Sequence, residues 1–263
     1  MIENHITKSE LDKKIIQLFE YRLFPELIRL GQPSEKEFNG CWQNLLSLQA
    51  SIYYLDAHLE AHWNTDSQVL EWHWNHIIQH LESFGIEQFE SQKYLNHIKK
   101  YEKHELELRK GKMPMRLDME YFYYYKSCDV KLLRRLIYET FNLSSLCGSL
   151  AEWRYYDLIT EVNDDVDDLM EDLDFYNGNR FLLSILTKGK LNTKNEFDVF
   201  IHNIKSKAEE RVKQARGKYK DYIYEMTIQR VGETLLHMDK RLQELNLDEL
   251  HNSKIGKVVF VNQ

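Results

Sequence analysis

An apolar period of three to four residues runs along almost the whole 263-residue chain, and only three prolines and ten glycines interrupt it. Such a pattern specifies helices and leaves little room for strands. "SELDKKIIQLFEYRLFPELIRLG" starts at a capping-type Ser9 and stops at Gly31, with Pro25 expected as a kink inside it. "PSEKEFNGCWQNLLSLQASIYYLDAHLEAHW" opens with a capping box, Ser34 and Glu37, and reads as one helix to about Trp63. Helices over about 66–84 and 87–110 follow, then the breaker "GKMPMR". Beyond it lie "LDMEYFYYYKS", "DVKLLRRLIYETF", "SLAEWRYYDLITEVNDDVDDLMEDL" and "NRFLLSIL", and a long helix is expected from about Lys194 to Leu245. Only the terminal "KVVFV" has a strand-like composition. No repeat or linker divides the chain, so the expected architecture is all-α, a single domain over 1–263 of nine to eleven helices.

A formal net charge of −7 excludes a general affinity for nucleic acid, because there is no basic stripe to displace counterions. Cys41, Cys128 and Cys147 stand far apart without metal-ligand spacing, as expected of buried thiols in a reducing compartment. No window supplies the roughly 20 apolar residues of a membrane span, and the N-terminus lacks an apolar signal core; the expected location is the cytoplasm.

The chemistry is concentrated in "EVNDDVDDLMEDLDF", residues 161–175, which hold eight carboxylates and no basic residue. On a helix, Val162, Val166, Leu169 and Leu173 form one buried stripe. Asn163, Asp167 and Glu171 form a second, displaced by roughly 100–180°, and Asp164 and Asp168 fall about 200–240° around. Like charges one turn apart cost only about 0.2–0.5 kcal/mol per pair on an exposed helix, so a solvated acidic face explains the run as well as a cation does. A second acidic element changes the balance. In "SIYYLDAHLEAHW", Asp56 and Glu60 flank the stripe Leu48, Ile52, Leu55 and Leu59 with an offset in the same sense. Two carboxylate-bearing helices facing one another suit Mg²⁺, which keeps several waters and bridges to phosphate oxygens of a substrate.

These residues resemble the class I isoprenoid synthases, a superfamily that includes prenyl diphosphate synthases, terpene cyclases, and squalene and phytoene synthases. The resemblance covers about residues 40–245. Asn163, Asp167 and Glu171 are similar to the metal triad of terpene cyclases; Asp164, Asp165 and Asp168 fit the D-D-x-x-D of head-to-tail prenyl synthases; Asp56 and Glu60 fit a D-x-x-x-(D/E) first motif. Ala57 and His58 stand where a second carboxylate often occurs. Lys126 and Ser127 look like a Lys-Thr pair that contacts diphosphate, and Arg116, Arg134 and Arg180 are further basic candidates. The C-terminal Arg-Tyr pair of bacterial cyclases is absent.

The resemblance implies a helical bundle around a central cavity and a lyase or transferase that ionises a prenyl diphosphate, then cyclises it or joins it to a second prenyl unit. Asp56 and Asp167 would be catalytic; Asp56, Glu60, Asn163, Asp164, Asp167, Asp168 and Glu171 would hold several Mg²⁺ ions; Lys126 and Arg180 would bind diphosphate. Tyr53, Tyr54 and Phe122 to Tyr125 could wall a dry carbocation pocket, although aromatics at helical spacing more often simply fill a core. Related folds often pair, so a homodimer is compatible with the sequence. The reduced first motif supports a second reading, a non-catalytic protein of the same fold that binds a lipid or a partner.

The histidines give a separate pattern. His58 and His62 flank Glu60, and "EWHWNHIIQH" spaces His76 and His80 by one turn. As ligands they would suit Zn or Fe rather than Mg. None of the eleven histidines has a Glu three positions before it, which excludes the Glu-x-x-His pattern of a ferritin-like di-iron bundle. No Gly-rich phosphate loop or nucleophile elbow is present.

Overall fold

The computed structural model describes residues 8–261, and among them it is all-helical. The described residues form fourteen α-helices where nine to eleven were expected: α1 (Lys8–Tyr21), α2 (Phe24–Leu30), α3 (Glu35–Ala61), α4 (Ser67–Glu82), α5 (Gln88–Leu108), α6 (Met119–Lys126), α7 (Cys128–Phe141), α8 (Ser144–Cys147), α9 (Arg154–Asp167), α10 (Arg180–Lys188), α11 (Lys190–Gln214), α12 (Lys220–Glu244), α13 (Leu247–Asn252) and α14 (Lys254–Val261). Short 3-10 turns cover Pro114–Arg116, Leu150–Trp153 and Glu171–Asp174. The strand-like "KVVFV" lies in α14. No helix among the described residues is long and apolar enough to cross a membrane.

The capping box forms as its sequence implies. The Ser34 amide donates to Glu37 Oε2 at 2.8 Å and the Glu37 amide to Ser34 Oγ at 3.3 Å. Two longer helices divide where their sequences carried a weaker signal. Leu23 adopts a left-handed conformation (φ 61°) between α1 and α2, so Pro25 occupies the first turn of a new helix, where its missing amide costs nothing, and does not kink an old one. The expected helix from Lys194 to Leu245 breaks after Gln214, where Ala215 turns extended (ψ 146°).

Gly217 then passes against the Cys147 carbonyl, 2.4 Å from where a Cβ would stand. The Gly217→Ala variant is expected to lose about 1–3 kcal/mol in a urea titration, because backbone must shift to admit the methyl group.

The described chain forms two compact units. One comprises residues up to His58, Asn64–Asn96 and Asp129–Leu143. Its core joins Leu11, Ile15 and Phe19 of α1 to Phe24 and Leu27 of α2 and to Leu45, Leu48 and Ile52 of α3. The Phe19 ring meets Phe24 at 5.3 Å and the edge of Trp42 at 5.2 Å. Arg134 is buried here, with its guanidinium 5.6 Å from the Phe24 ring centre.

The other unit comprises Leu59–Trp63, His97–Cys128 and the chain from Ser144. Its core is built on α9, whose Leu158, Ile159, Val162 and Val166 are buried against apolar residues of α6, α10, α11 and α12. α10 is buried from Arg180 to Leu186, as a helix apolar on nearly every face must be. Cys41, Cys128 and Cys147 are all buried and none is in a disulfide among the described residues, as expected from their spacing.

Candidate functional site

The buried stripe expected along the acidic run is present: Val162, Val166 and Leu169 are fully buried and Leu173 nearly so. The run is not one uninterrupted helix. α9 ends at Asp167, residues 168–170 form a turn, and a 3-10 turn follows, although the amides of Asp168 and Asp172 still donate to the carbonyls of Asp164 and Asp168 at 2.9 Å. Asp164, Asp168 and Asp172 therefore remain one above the other along the run.

Asp165 is the internal anchor of the site. It is completely buried, yet its carboxylate has three donors: the Tyr123 hydroxyl at 2.7 Å, the Arg180 amide at 2.9 Å and the Lys126 ammonium. A buried charge survives only when paired and hydrogen-bonded in this manner. Burial alone would pull the Lys126 ammonium down, but Asp165 and Glu161 outweigh it and hold the pKa above its ordinary value. Asn179 ties the next segment to the same point. Its side-chain amide donates to the Asp165 carbonyl at 2.7 Å and to Asp172 Oδ2 at 2.6 Å, and its oxygen caps α10 by accepting from the Leu182 amide at 2.8 Å.

The last turn of α3 reaches this anchor within the second unit. The Tyr176 amide donates to the Glu60 carbonyl at 3.1 Å, and the Trp63 and Tyr176 rings meet edge-on at 5.3 Å. Glu60 is consequently held among other carboxylates. Burial, then Asp172, Glu105 and Asp168, push its carboxyl up to about 8, against an opposing pull from Lys126. Asp168 keeps solvent contact, yet the protein around it and the charges of Asp164 and Asp172 raise it to about 7; Asp172 is raised by burial to about 6. Glu105 of α5 is buried and raised for the same reason, with Tyr101, Arg109 and Lys126 pulling the other way.

These shifts have one sign. A carboxyl whose folded-state pKa lies above its unfolded value near 4.5 contributes stability at low pH that disappears as pH rises through the folded value. The urea midpoint is expected to fall between about pH 5 and pH 8, and Glu60→Gln to flatten that fall. An unchanged slope in the variant would show that Glu60 is not in the crowded cluster.

The other acidic stripe has a different environment. Asn163 is buried, donates to Asp167 Oδ2 at 2.9 Å, and accepts from Thr234 Oγ1 of α12 at 3.0 Å. Asp167 accepts from His237 Nδ1 at 2.9 Å and has Arg241 at 4.0 Å. Asn163 and Asp167 thus face α12, whereas Asp168 and Asp172 interact with Glu60 and Lys126. Glu171 is exposed. Asp56 is an exposed residue of the first unit. The guanidinium of Arg180 donates to the carbonyls of Leu117 at 2.8 Å and Pro114 at 3.4 Å, so it holds the 114–117 turn, while its backbone amide serves Asp165.

Sequence reasoning did not single out Glu105, Asp172 or Asn179. Asp172 was within reach, since it continues the Asp164 and Asp168 spacing by one more turn. Glu105 carries no such signal, because only the packing of α5 brings it to Lys126.

Beside the cluster lies a cavity of about 90 Å³ lined in part by Glu105, Leu108, Met113, Leu117, Phe122 and Gly178. Among the described residues, no three His, Cys, Asp or Glu side chains converge tightly enough to hold a metal ion unaided. Mg²⁺ does not require such a cage, because it is commonly bound by one or two carboxylates together with waters and substrate phosphates.

No family model matches the chain, and neither does a curated protein or a solved structure.

Proposed function

We propose that the second unit binds Mg²⁺ and the diphosphate of a prenyl substrate between Glu60 and the Asp164–Asp168–Asp172 stripe, and that the protein is a class I isoprenoid synthase. The observation that carries this reading is the backbone bond from Tyr176 to Glu60, which holds two acidic elements far apart in sequence within electrostatic reach of each other and of Lys126. Carboxylates raised by burial and by one another's charge gain stability when a cation arrives.

When bound, Mg²⁺ would neutralise negative charge developing on the leaving diphosphate. Glu60, Asp164, Asp168 and Asp172 supply oxygen ligands of the type it prefers. The Lys126 ammonium, pre-oriented by Asp165, supplies a fixed positive charge beside them. Phe122, Leu108 and Met113 in the adjoining cavity offer the apolar lining that a hydrocarbon tail needs. Cyclisation and condensation both begin from this ionisation.

The size of that cavity favours a second reading. About 90 Å³ is below the roughly 300–1,000 Å³ of typical ligand pockets, as in a protein of related architecture that has lost ionisation chemistry and serves as a lipid-binding or interaction module. The two readings separate in one assay. The protein is incubated with Mg²⁺ and geranyl, farnesyl or geranylgeranyl diphosphate, with and without isopentenyl diphosphate, and pyrophosphate and hydrocarbon products are measured. The synthase reading expects Mg²⁺-dependent pyrophosphate release with at least one substrate. No turnover with any of them leaves the non-catalytic reading.

A further inference from the structure

Five of the eleven histidines lie between residues 58 and 80. Within the first unit, His58 of α3 and His73 of α4 face one another with ring centroids 5.4 Å apart and planes inclined by 39°. We infer that His58 and His73 form a two-imidazole site for a borderline-soft divalent cation of the Zn²⁺ class, with water completing its coordination.

The separation is the first argument. A Zn–N bond of about 2.0–2.1 Å, plus about 1.2 Å from ring nitrogen to ring centre, puts two imidazoles on a tetrahedral ion with centroids about 5.2 Å apart. The observed centroid separation matches that of two ligands on one ion. The second argument is pre-organisation. His73 is only 8% exposed, and the edge-on Trp72 ring 4.8 Å away restricts its rotation. Two helices hold the two rings, so little ligand entropy remains to be lost on binding.

Other imidazoles surround the pair. One turn further on, His76 directs Nδ1 to the Trp72 carbonyl at 2.8 Å, and its ring meets the Trp72 ring at a tilt of 44° with centroids 4.0 Å apart. That carbonyl only accepts, so His76 Nδ1 carries the proton. Imidazole nitrogen selects Zn, Ni, Cu or Co over Mg, which distinguishes this pair from the carboxylate cluster of the second unit.

The inference is independent of the isoprenoid reading, and its test uses the metal alone. The full chain is stripped with a chelator and titrated with Co²⁺, read by visible absorption, and with Zn²⁺, read by melting temperature. One Co²⁺ per chain is expected to give the absorption of a nitrogen-ligated ion, Zn²⁺ is expected to displace it, and Mg²⁺ is expected not to. His58→Gln and His73→Gln should each weaken Zn²⁺ binding by about tenfold or more, while the distant His202→Gln leaves it unchanged. If His73→Gln fails to fold, the less buried His58→Gln decides. Equal Zn²⁺ binding in wild type and His58→Gln would overturn the site.

Discussion

Asp165→Asn is expected to lose about 3–5 kcal/mol of stability in a urea titration, the largest single-residue effect in the second unit. The substitution keeps the shape of the side chain and removes its charge. Lys126 would then be left beside Glu161 and Asp172 without the anion that accepts its hydrogen bond, and the amide nitrogen would face either Lys126 or the Tyr123 and Arg180 donors that share Oδ2. Isosteric replacement is thus nearly as damaging here as truncation. A Lys126→Met, Asp165→Leu double variant removes both buried charges and should recover much of the loss, because a buried pair is costly chiefly when broken on one side. If Asp165→Asn alone costs under about 1 kcal/mol, the pair is hydrated and the anchoring role falls.

Under the proposed function, Asp168→Ala and Asp172→Ala are each expected to lower Mg²⁺-dependent pyrophosphate release by about 100- to 1,000-fold. Asp167→Ala should lower it less than about tenfold, since its carboxylate is engaged by His237 and Asn163 on the α12 side. Mg²⁺ titrations of activity distinguish a lost ligand, which raises the metal requirement, from a general disturbance. The opposite order, with Asp167→Ala inactive and Asp168→Ala active, would move the metal to the stripe facing α12. Asp56→Ala is the companion measurement, because the first-motif pairing with Glu60 in sequence contrasts with their assignment to different units. Unchanged activity in Asp56→Ala would leave Glu60 as the sole ligand contributed by that helix.

The acidic run shows how far residue spacing can reach. Its apolar stripe correctly gave the direction of the core, because only a buried face recurs every three to four residues. The choice between its two carboxylate stripes was beyond the same reasoning. Both stripes flank the buried face, and what separates them is the identity of the neighbours: Thr234 and His237 on one side, Glu60 and Lys126 on the other. Those neighbours lie between 42 and 112 positions away along the chain. Helix ends were similarly divided. The Ser34–Glu37 box is a local hydrogen-bond pattern and could be read directly, as the Glu37 amide bond to Ser34 Oγ at 3.3 Å illustrates. The break after Gln214 could not, because it serves the approach of Gly217 to Cys147.

By itself the sequence determined the all-helical class, the core face of most helices, the burial of the cysteines and the concentration of acidic chemistry near residue 165. These follow from period, composition and local capping, each set within a turn or two of chain. Only the tertiary structure decided which carboxylates share an environment, which basic residue lies among them, and that Arg180 supports a turn with its side chain. Helical spacing fixes the angle of a side chain about its own axis and leaves open what stands opposite. Burial and charge pairing, which set the chemistry of Glu60, Asp165 and Lys126, are properties of that opposing surface.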